Sequence, residues 1–219
     1  MTALDRAGLL WPVIAVNAGF VVLIVVRVMA SRATAERGLT DGPARASQDA
    51  PGPPVATRRI ESRQATAVLV AMAATSALYY IGLLLWLIAP AWLGAPLVAP
   101  SAPLQIAGLA CALAGLGLMG WAYVVFRSWR WRAEVDPGHQ LMTGGPFGLI
   151  RHPIYLSFAL FYLGSVLLLP YGVFLLHALA SLVAYDYRAR AEEAVMLDAF
   201  GDRYREYRER TRRFLPGVY

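Results

Sequence analysis

The chain has 219 residues, of which 58% are hydrophobic and only 16% charged, and all 20 of its basic residues are arginines. An average soluble domain is about 25% charged, and the apolar residues here form runs long enough to cross a bilayer. The composition therefore excludes an ordinary soluble enzyme and predicts a polytopic membrane protein. The net charge of +6 comes from arginines at the ends of these runs, which favours anionic lipid over nucleic acid as the partner. The lone Cys111 allows no internal disulfide, and no HExxH or CxxC metal motif is present.

The first apolar run, Leu9 to Ala30, matches the roughly 20 residues that a helix needs to cross the hydrocarbon core. A cleaved signal peptide is the alternative, because Val28-Met29-Ala30 resembles a small-residue cleavage site, but the apolar part is too long for one. Residues 31–64 then mix Arg, Asp, Gly, Pro and Ser without periodicity. This composition predicts a mobile cytoplasmic linker.

The second and third runs extend from Thr66 to Ala89 and from Leu104 to Phe126, with an uncharged loop, residues 90–103, between them. A loop without charge is typical of the external side of a membrane. Small residues in the third run let helix backbones approach closely in lipid; they are Gly108, Ala112, Gly115, Gly117 and Gly120.

The fourth run, Pro153 to Leu169, is joined to the fifth by the tight turn Pro170-Tyr171-Gly172, which predicts an antiparallel helical hairpin. The fifth run is apolar from Val173 to Ala184 and continues without Gly or Pro into a charged segment. One helix should therefore protrude from the membrane into the cytoplasm.

The carboxyl-terminal part predicts one more helix. Gly201 is a suitable stop for the fifth helix, and Asp202 is a suitable cap for an amphipathic segment that runs to Arg213. This segment presents Tyr204 and Tyr207 among many charges, so we expect it to lie on the membrane surface.

These runs predict an all-α fold with five transmembrane helices. The arginine distribution places residues 31–64, 127–152 and 188–219 in the cytoplasm and the amino terminus outside. We divide the chain into a first helix with its linker (1–64), the second and third helices (65–126), and a core with the candidate site (127–219).

The polar residues that chemistry could use form two clusters. One ends with His152 at the start of the fourth helix, and the other contains Arg188 and Glu192 at the end of the fifth. Because the hairpin turn is short, the two clusters should meet in one site. Arg188 and Glu192 are four residues apart, so the alternative is an intrahelical salt bridge of only about 0.2–0.5 kcal/mol.

The two clusters also carry a family resemblance. Gly144-Gly145-Pro146-Phe147 with Arg151-His152-Pro153-Ile154-Tyr155 resembles the cofactor signature of the isoprenylcysteine carboxyl methyltransferases, which belong to a wider membrane group with the phospholipid N-methyltransferases. The carboxyl-terminal pattern of this family is matched by Glu192-Glu193, Phe200-Gly201, Tyr204, Tyr207 and Pro216. Ser128-Trp129-Arg130 is similar to a segment common in bacterial members, so the resemblance covers about residues 127–216.

The resemblance implies that S-adenosylmethionine binds in a cytoplasmic pocket between helix ends, without a metal and without a Rossmann domain. Arg188 matches the substrate-contacting arginine of the family, and His152 and Glu192 join it as candidate catalytic residues. The family often has Tyr at the position of Phe147. By position, the implied cofactor contacts are His139, Gln140, Leu141, Met142, Phe147, His152, Pro153, Ile154, Tyr155 and Glu192.

The expected function is methyl transfer to an amphiphilic or membrane-soluble substrate. A carboxylate acceptor is favoured because it needs no base, whereas for an amine or a thiol His152 is the nearest candidate base. One alternative is an NADPH-dependent membrane reductase of the sterol-reductase type, against which the acidic pair Glu192-Glu193 argues. The other is a transporter or a membrane scaffold, against which the lack of internal repeats and of charges at mid-membrane argues.

Overall fold

Helices make up most of the part of the chain that the computed structural model describes, which is residues 5–40, 58–59, 62–125, 134–135 and 141–215. The predicted all-α class is confirmed. Two short strands, β1 (Arg58–Arg59) and β2 (Glu134–Val135), pair antiparallel beside the helices. The helices are α1 (Arg6–Thr40), α2 (Ser62–Ile88), α3 (Ala102–Val125), α4 (Pro153–Leu168), α5 (Gly172–Phe200) and α6 (Asp202–Arg210).

Three of these helices are long and apolar enough to cross a membrane, over Arg6–Ala30, Val70–Ile88 and Ala102–Val125. Helix α4 is as apolar but shorter, with 16 residues. Large side chains on the outer faces of α1, α3 and α5, among them Trp11, Val124 and Val183, are exposed. A soluble protein rarely exposes apolar surface on this scale, so these faces are suited to contact lipid and the protein is an integral membrane protein.

The first helix is longer than the sequence predicted. We expected it to end at Ala30 and a mobile linker to follow, but α1 continues to Thr40. Residues 31–40 contain Ala, Arg and Glu, which favour helix, and the first proline after them is Pro43. The loss of apolar residues after Ala30 correctly marked the end of the membrane-crossing segment. It did not mark the end of the helix, which continues for ten more residues.

Helices α3 and α4 pack along a seam of small residues. A Cβ atom on Gly115 would lie 2.6 Å from the carbonyl oxygen of Ser157, and one on Gly164 would lie 2.5 Å from the carbonyl oxygen of Gly108. The predicted close approach is therefore confirmed for Gly108, Ala112 and Gly115, which share one face of α3. Gly117 and Gly120 have no such neighbour within 4 Å.

The predicted hairpin of α4 and α5 is present, and α5 runs unbroken from its apolar half into its charged half. It ends where expected, because Gly201 has a positive φ of 54° that other residues rarely adopt. Asp202, however, is not a cap: Gly201 holds the cap position without a side-chain hydrogen bond, and Asp202 pairs with Arg205 inside α6.

Helix α6 also differs from the predicted membrane-surface segment. It ends at Arg210 rather than Arg213, and its two tyrosines are buried. The hydroxyl of Tyr207 donates to the carbonyl oxygen of Phe147 at 2.7 Å. The apolar side of α6 therefore packs on the loop that precedes α4.

Candidate active site

The candidate site lies where the beginning of α4 meets the charged half of α5. Pro153 is the first residue of α4, a position at which its missing N–H is not needed. The preceding loop forms a 3-10 turn, Gly145–Gly148, that folds back on the end of α3. A Cβ atom on Gly145 would lie 2.7 Å from the side chain of Val125, and its φ is +58°, so only glycine fits there.

Arg188, Tyr155 and Glu192 form a closed triangle of hydrogen bonds. The Nε atom of Arg188 donates to the Tyr155 hydroxyl at 2.6 Å and to Glu192 Oε1 at 2.9 Å, and the Tyr155 hydroxyl donates to the same Oε1 at 2.6 Å. Burial alone would lower the pKa of Arg188, but Tyr155 and Glu192 outweigh it and raise that pKa. The intrahelical pair weighed as an alternative thus exists, and Tyr155 extends it to α4.

His152 connects this triangle to a second carboxylate. Its ring stacks on that of Tyr155 with 5.4 Å between centroids and 9° between planes. Nδ1 lies 3.7 Å from Glu192 Oε2, and Nε2 lies 3.3 Å from Glu193 Oε1. The structure therefore brings His152, Arg188 and Glu192 together, as the short hairpin predicts.

Glu193 is a buried ionic centre that the sequence reasoning did not single out. It is 4% exposed and contacts Arg151, His152 and Arg213, a group that we call the Glu193 cluster. Burial raises the pKa of Glu193, but the hydrogen bonds from His152, Arg213 and Arg151 outweigh it and hold that pKa well below its ordinary value. The sequence carried one signal for this second contact, the adjacent acids Glu192 and Glu193. Adjacent residues on a helix point in different directions, so the two carboxylates face different surroundings.

Residues 211–214, which we call the C-terminal strap, cover the Arg151-His152 segment. The backbone N–H of Arg151 donates to the carbonyl oxygen of Arg212 at 2.8 Å, and that of His152 donates to the carbonyl oxygen of Arg213 at 3.1 Å. The ring of Phe214 lies 5.9 Å from that of His152. No local sequence pattern predicts this pairing of segments about 60 residues apart.

An aromatic cavity of about 260 Å³ lies on the membrane side of the triangle. Tyr185 lines it and stacks on Tyr155 with 5.2 Å between centroids and 5° between planes. Met72, another lining residue, has its sulfur 3.9 Å from Nη1 of Arg188. The remaining lining residues come from α1, α2 and α4 and are Phe20, Ile24, Ala73, Ser76, Tyr79, Tyr80, Phe158, Phe161 and Tyr162.

The other cofactor positions implied by the resemblance fall into three groups. Leu141 and Met142 are half-buried, whereas the side chains of Phe147, Pro153 and Ile154 are buried in apolar packing. His139 and Gln140 lie outside the described residues, as does the segment Arg127 to Arg132. Within the described residues, no three His, Cys, Asp or Glu side chains are arranged to hold a metal ion.

Residues 104–203 match the phospholipid methyltransferase family. The protein-S-isoprenylcysteine O-methyltransferase of Schizosaccharomyces pombe is 37% identical over 81 residues, which are 36% of this chain and 34% of that relative. The aligned part is thus about a third of the relative's length. A solved structure of the eukaryotic intramembrane Ras methyltransferase, isoprenylcysteine carboxyl methyltransferase, is 21% identical with a TM-score of 0.45 and covers 73% of this chain and 54% of that one.

The family match and the yeast relative confirm the resemblance that the two motifs predicted. Neither match supports the reductase, the transporter or the scaffold that were weighed as alternatives.

Proposed function

We propose that this chain, whose residues 104–203 match the phospholipid methyltransferase family, is a membrane methyltransferase that uses S-adenosylmethionine to methylate the carboxylate of an amphiphilic substrate. One observation carries the proposal: a buried arginine, Arg188, is one corner of a polar triangle and contacts Met72 in the lining of an aromatic cavity. An S-prenylated cysteine has both a carboxylate and an apolar tail, and the name of the yeast relative specifies O-methylation of such a group.

Arg188 is suited to bind the anionic end of the substrate. It is 7% exposed, so a carboxylate that reaches it forms charge-assisted hydrogen bonds in a place where water competes little. Its planar guanidinium also fixes the orientation of a carboxylate, which a lysine ammonium does not.

The cavity is suited to bind the apolar end. Seven of its eleven lining residues are aromatic, and they belong to helices whose outer faces contact lipid. Tyr185 lines the cavity and also stacks on Tyr155 of the triangle. The cavity and the triangle are therefore direct neighbours. A substrate that enters from the bilayer would therefore place its tail in the cavity and its carboxylate at Arg188.

The side chains around Glu192 fit S-adenosylmethionine. The Glu192 side chain is 22% exposed, whereas those of Arg188 and Glu193 are 8% and 5% exposed, so Glu192 is the more accessible acid of the pair. An accessible carboxylate accepts hydrogen bonds from an ammonium group or from ribose hydroxyls. In this proposal Glu192, His152 and Tyr155 hold the donor, with His139, Gln140, Leu141, Met142, Phe147, Pro153 and Ile154 as the further contacts that the family pattern implies.

The site favours an acceptor that is already ionised. When bound, S-adenosylmethionine supplies an electrophilic methyl group on a positively charged sulfur. Arg188 would hold the carboxylate, and an acceptor oxygen that is already ionised would take this methyl group without giving up a proton. Both ring nitrogens of His152 face carboxylates rather than a substrate, which disfavours an amine or a thiol that needs a base. The contribution of the protein is to align the two reactants and exclude water.

Five spans with the site in the cytoplasm are part of the same proposal. The pairing of β1 with β2 brings two segments that we expect in the cytoplasm to one end of the helices, which supports it. Single cysteines at Ala95 and Arg210, in a Cys111→Ser background, test it by labelling with an impermeant reagent. The first should react from outside the cell and the second only after permeabilisation, and the reverse pattern would overturn the orientation.

The full chain in detergent provides the direct test of function. S-adenosylmethionine and its demethylated product should raise the thermal midpoint of unfolding, and NADPH should not. Labelled methyl groups should be transferred to an S-prenylated cysteine with a free carboxylate and not to the matching carboxamide. Labelling of an amine lipid instead would refute the carboxylate acceptor, and stabilisation by NADPH alone would refute the methyltransferase.

A further inference from the structure

A buried carboxylate next to the candidate site joins three separate parts of the chain. Glu193 on α5 accepts hydrogen bonds from Arg151 Nε at 2.9 Å and from Arg213 Nε and Nη2 at 3.0 Å each, and it lies 3.3 Å from His152 Nε2. Arg151 and His152 precede α4, whereas Arg213 belongs to the C-terminal strap. One side chain thus ties the site loop, the long helix and the end of the chain together.

The strap is fixed to the loop by further contacts. Arg151 Nη1 donates to the carbonyl oxygens of Thr211 at 2.6 Å and Arg208 at 3.2 Å. The hydroxyl of Thr211 donates to the carbonyl oxygen of Tyr207 at 2.7 Å, which anchors the strap to α6. Arg213 Nη1 donates to Asp186 Oδ1 at 3.1 Å, and Asp186 lies two residues, about half a turn, before Arg188 on α5.

His152 receives its orientation from this arrangement. Its ring lies between Tyr155 and Phe214, and its backbone N–H is bonded to the strap. With Nε2 directed at Glu193, Nδ1 is directed at Glu192. Loss of the Glu193 contact would leave the ring free to turn about its side-chain bonds and to lose its position beside Glu192.

Stability alone does not account for such a cluster. Buried ion pairs contribute little net free energy of folding, because the cost of removing charges from water offsets their attraction, and apolar replacements are often neutral. What a buried carboxylate between two arginines and a histidine does provide is a fixed geometry, and here that geometry is imposed on His152.

We infer that Glu193 and Arg213 are positioning residues: through the C-terminal strap they hold His152 beside Glu192 and so set the affinity of the site for S-adenosylmethionine. This inference rests on the proposed function, since the cofactor is part of that proposal. In this role neither residue needs to contact the ligand itself. The strap is thereby a working part of the site, although it lies about 60 residues from the motif it supports.

The test compares Arg213→Ala, Arg213→Lys and Glu193→Gln with the wild type by the dissociation constant of S-adenosylmethionine, measured on detergent-solubilised full-length protein well below its thermal midpoint. Arg213→Ala and Glu193→Gln should each weaken binding about tenfold or more, the scale of a small misplacement in a site. Arg213→Lys keeps the charge without the two-pronged contact and should fall between Arg213→Ala and wild type. The double variant, Arg213→Ala with Glu193→Gln, should lose less affinity for S-adenosylmethionine than the product of the two single losses. Both changes act on the position of one ring, that of His152.

Arg210→Ala is the matched control, because this exposed arginine bonds only its own helix among the contacts described for it. It should bind S-adenosylmethionine like wild type.

A kinetic readout separates positioning from general destabilisation. In the Arg213 and Glu193 variants, turnover at saturating cofactor should change less than the Michaelis constant for the cofactor, a difference that general destabilisation would not produce. Arg213→Ala or, if that variant does not fold, Arg213→Lys with wild-type affinity would overturn the inference. A wild type that does not bind S-adenosylmethionine would instead refute the proposed function.

Discussion

Two regions of this molecule are stabilised by different interactions. One is the membrane body, the packed apolar helices, and the other is the polar end, the Glu193 cluster with the C-terminal strap and the triangle of Arg188, Tyr155 and Glu192. In the body, α3 and α4 approach through Gly115 and Gly164, whose absent side chains leave room for backbone atoms. At the polar end, Glu193 fixes the chain through ion pairs with Arg151 and Arg213 and a contact with His152. The two regions should therefore lose stability separately: the membrane body when side-chain volume between α3 and α4 changes, and the polar end when the charge of its side chains or the pH changes.

The largest effect should follow from added volume in the body. Gly115→Val would place carbon 2.6 Å from the carbonyl oxygen of Ser157, and backbone cannot move aside as a flexible side chain can. Overpacking typically costs about 1–3 kcal/mol, and this contact should exceed that range. We expect loss of monodisperse protein in size-exclusion chromatography. Gly117→Val, with nothing within 4 Å, should be recovered normally, and equal yields of the two variants would show that the close approach at Gly115 does not limit the packing of α3 on α4.

Removal of charge at the polar end should instead abolish activity in a folded protein. Arg188→Ala deletes the cation proposed to hold the substrate, so methyl transfer should fall by about 100-fold or more, as expected when one partner of a buried charged pair is lost. Affinity for S-adenosylmethionine, measured by calorimetry, should stay close to wild type. Arg190→Ala, on the same helix but exposed, is the control. An equal loss of cofactor affinity would make Arg188 a structural or cofactor residue.

A smaller effect should separate cofactor binding from substrate binding. His152→Ala and Glu192→Gln should each weaken S-adenosylmethionine binding by about 1–3 kcal/mol, the range for a buried or charge-assisted hydrogen bond. In the double variant the losses should be less than additive, because both side chains touch one ligand. Glu209→Gln on the exposed side of α6 should be silent. Wild-type affinity in both single variants would leave the pocket without support.

The smallest effect should come from pH. The pKa of Glu193 is lowered because the hydrogen bonds from His152, Arg213 and Arg151 outweigh the cost of its burial. A lowered pKa stabilises the fold fully above the ordinary glutamate value of about 4.3 and progressively less as the pH falls below it. Glu193→Gln should therefore have a lower thermal midpoint than wild type near neutral pH, and the gap should narrow below about pH 4. A gap that is constant with pH would mean that the charge of Glu193 does not stabilise the fold.

Local patterns predicted much of the body. The apolar runs gave the helices, the small residues of α3 gave its packing face, and Pro170 to Gly172 gave the hairpin. The extension of α1 to Thr40 was missed because apolar periodicity reports membrane contact, whereas helix formation outside the membrane needs only favourable residues. Burial of Tyr204 and Tyr207 was missed because an amphipathic helix faces a protein surface and a membrane surface with the same pattern.

The candidate site was predictable only in part. The i, i+4 spacing of Arg188 and Glu192 placed them on one face, and the short hairpin placed His152 beside them. The role of Glu193 was not readable, since its partners Arg151 and Arg213 are about 42 and 20 residues away in sequence. Contacts of this kind depend on how separate segments pack, and no local spacing encodes them.

The continuity of α5 fixes the distance between the aromatic cavity and Arg188. Tyr185, in the wall of the cavity, and Arg188 are three residues apart on one unbroken helix, which is an axial distance of about 4.5 Å. A rigid rod keeps that distance constant whatever is bound, so the protein would select molecules by the separation of charge from hydrocarbon. In the proposed function, a carboxylate a few bonds from its apolar tail fits this distance between the cavity and Arg188. A charge at the end of a long polar headgroup would lie too far from the tail to fit it.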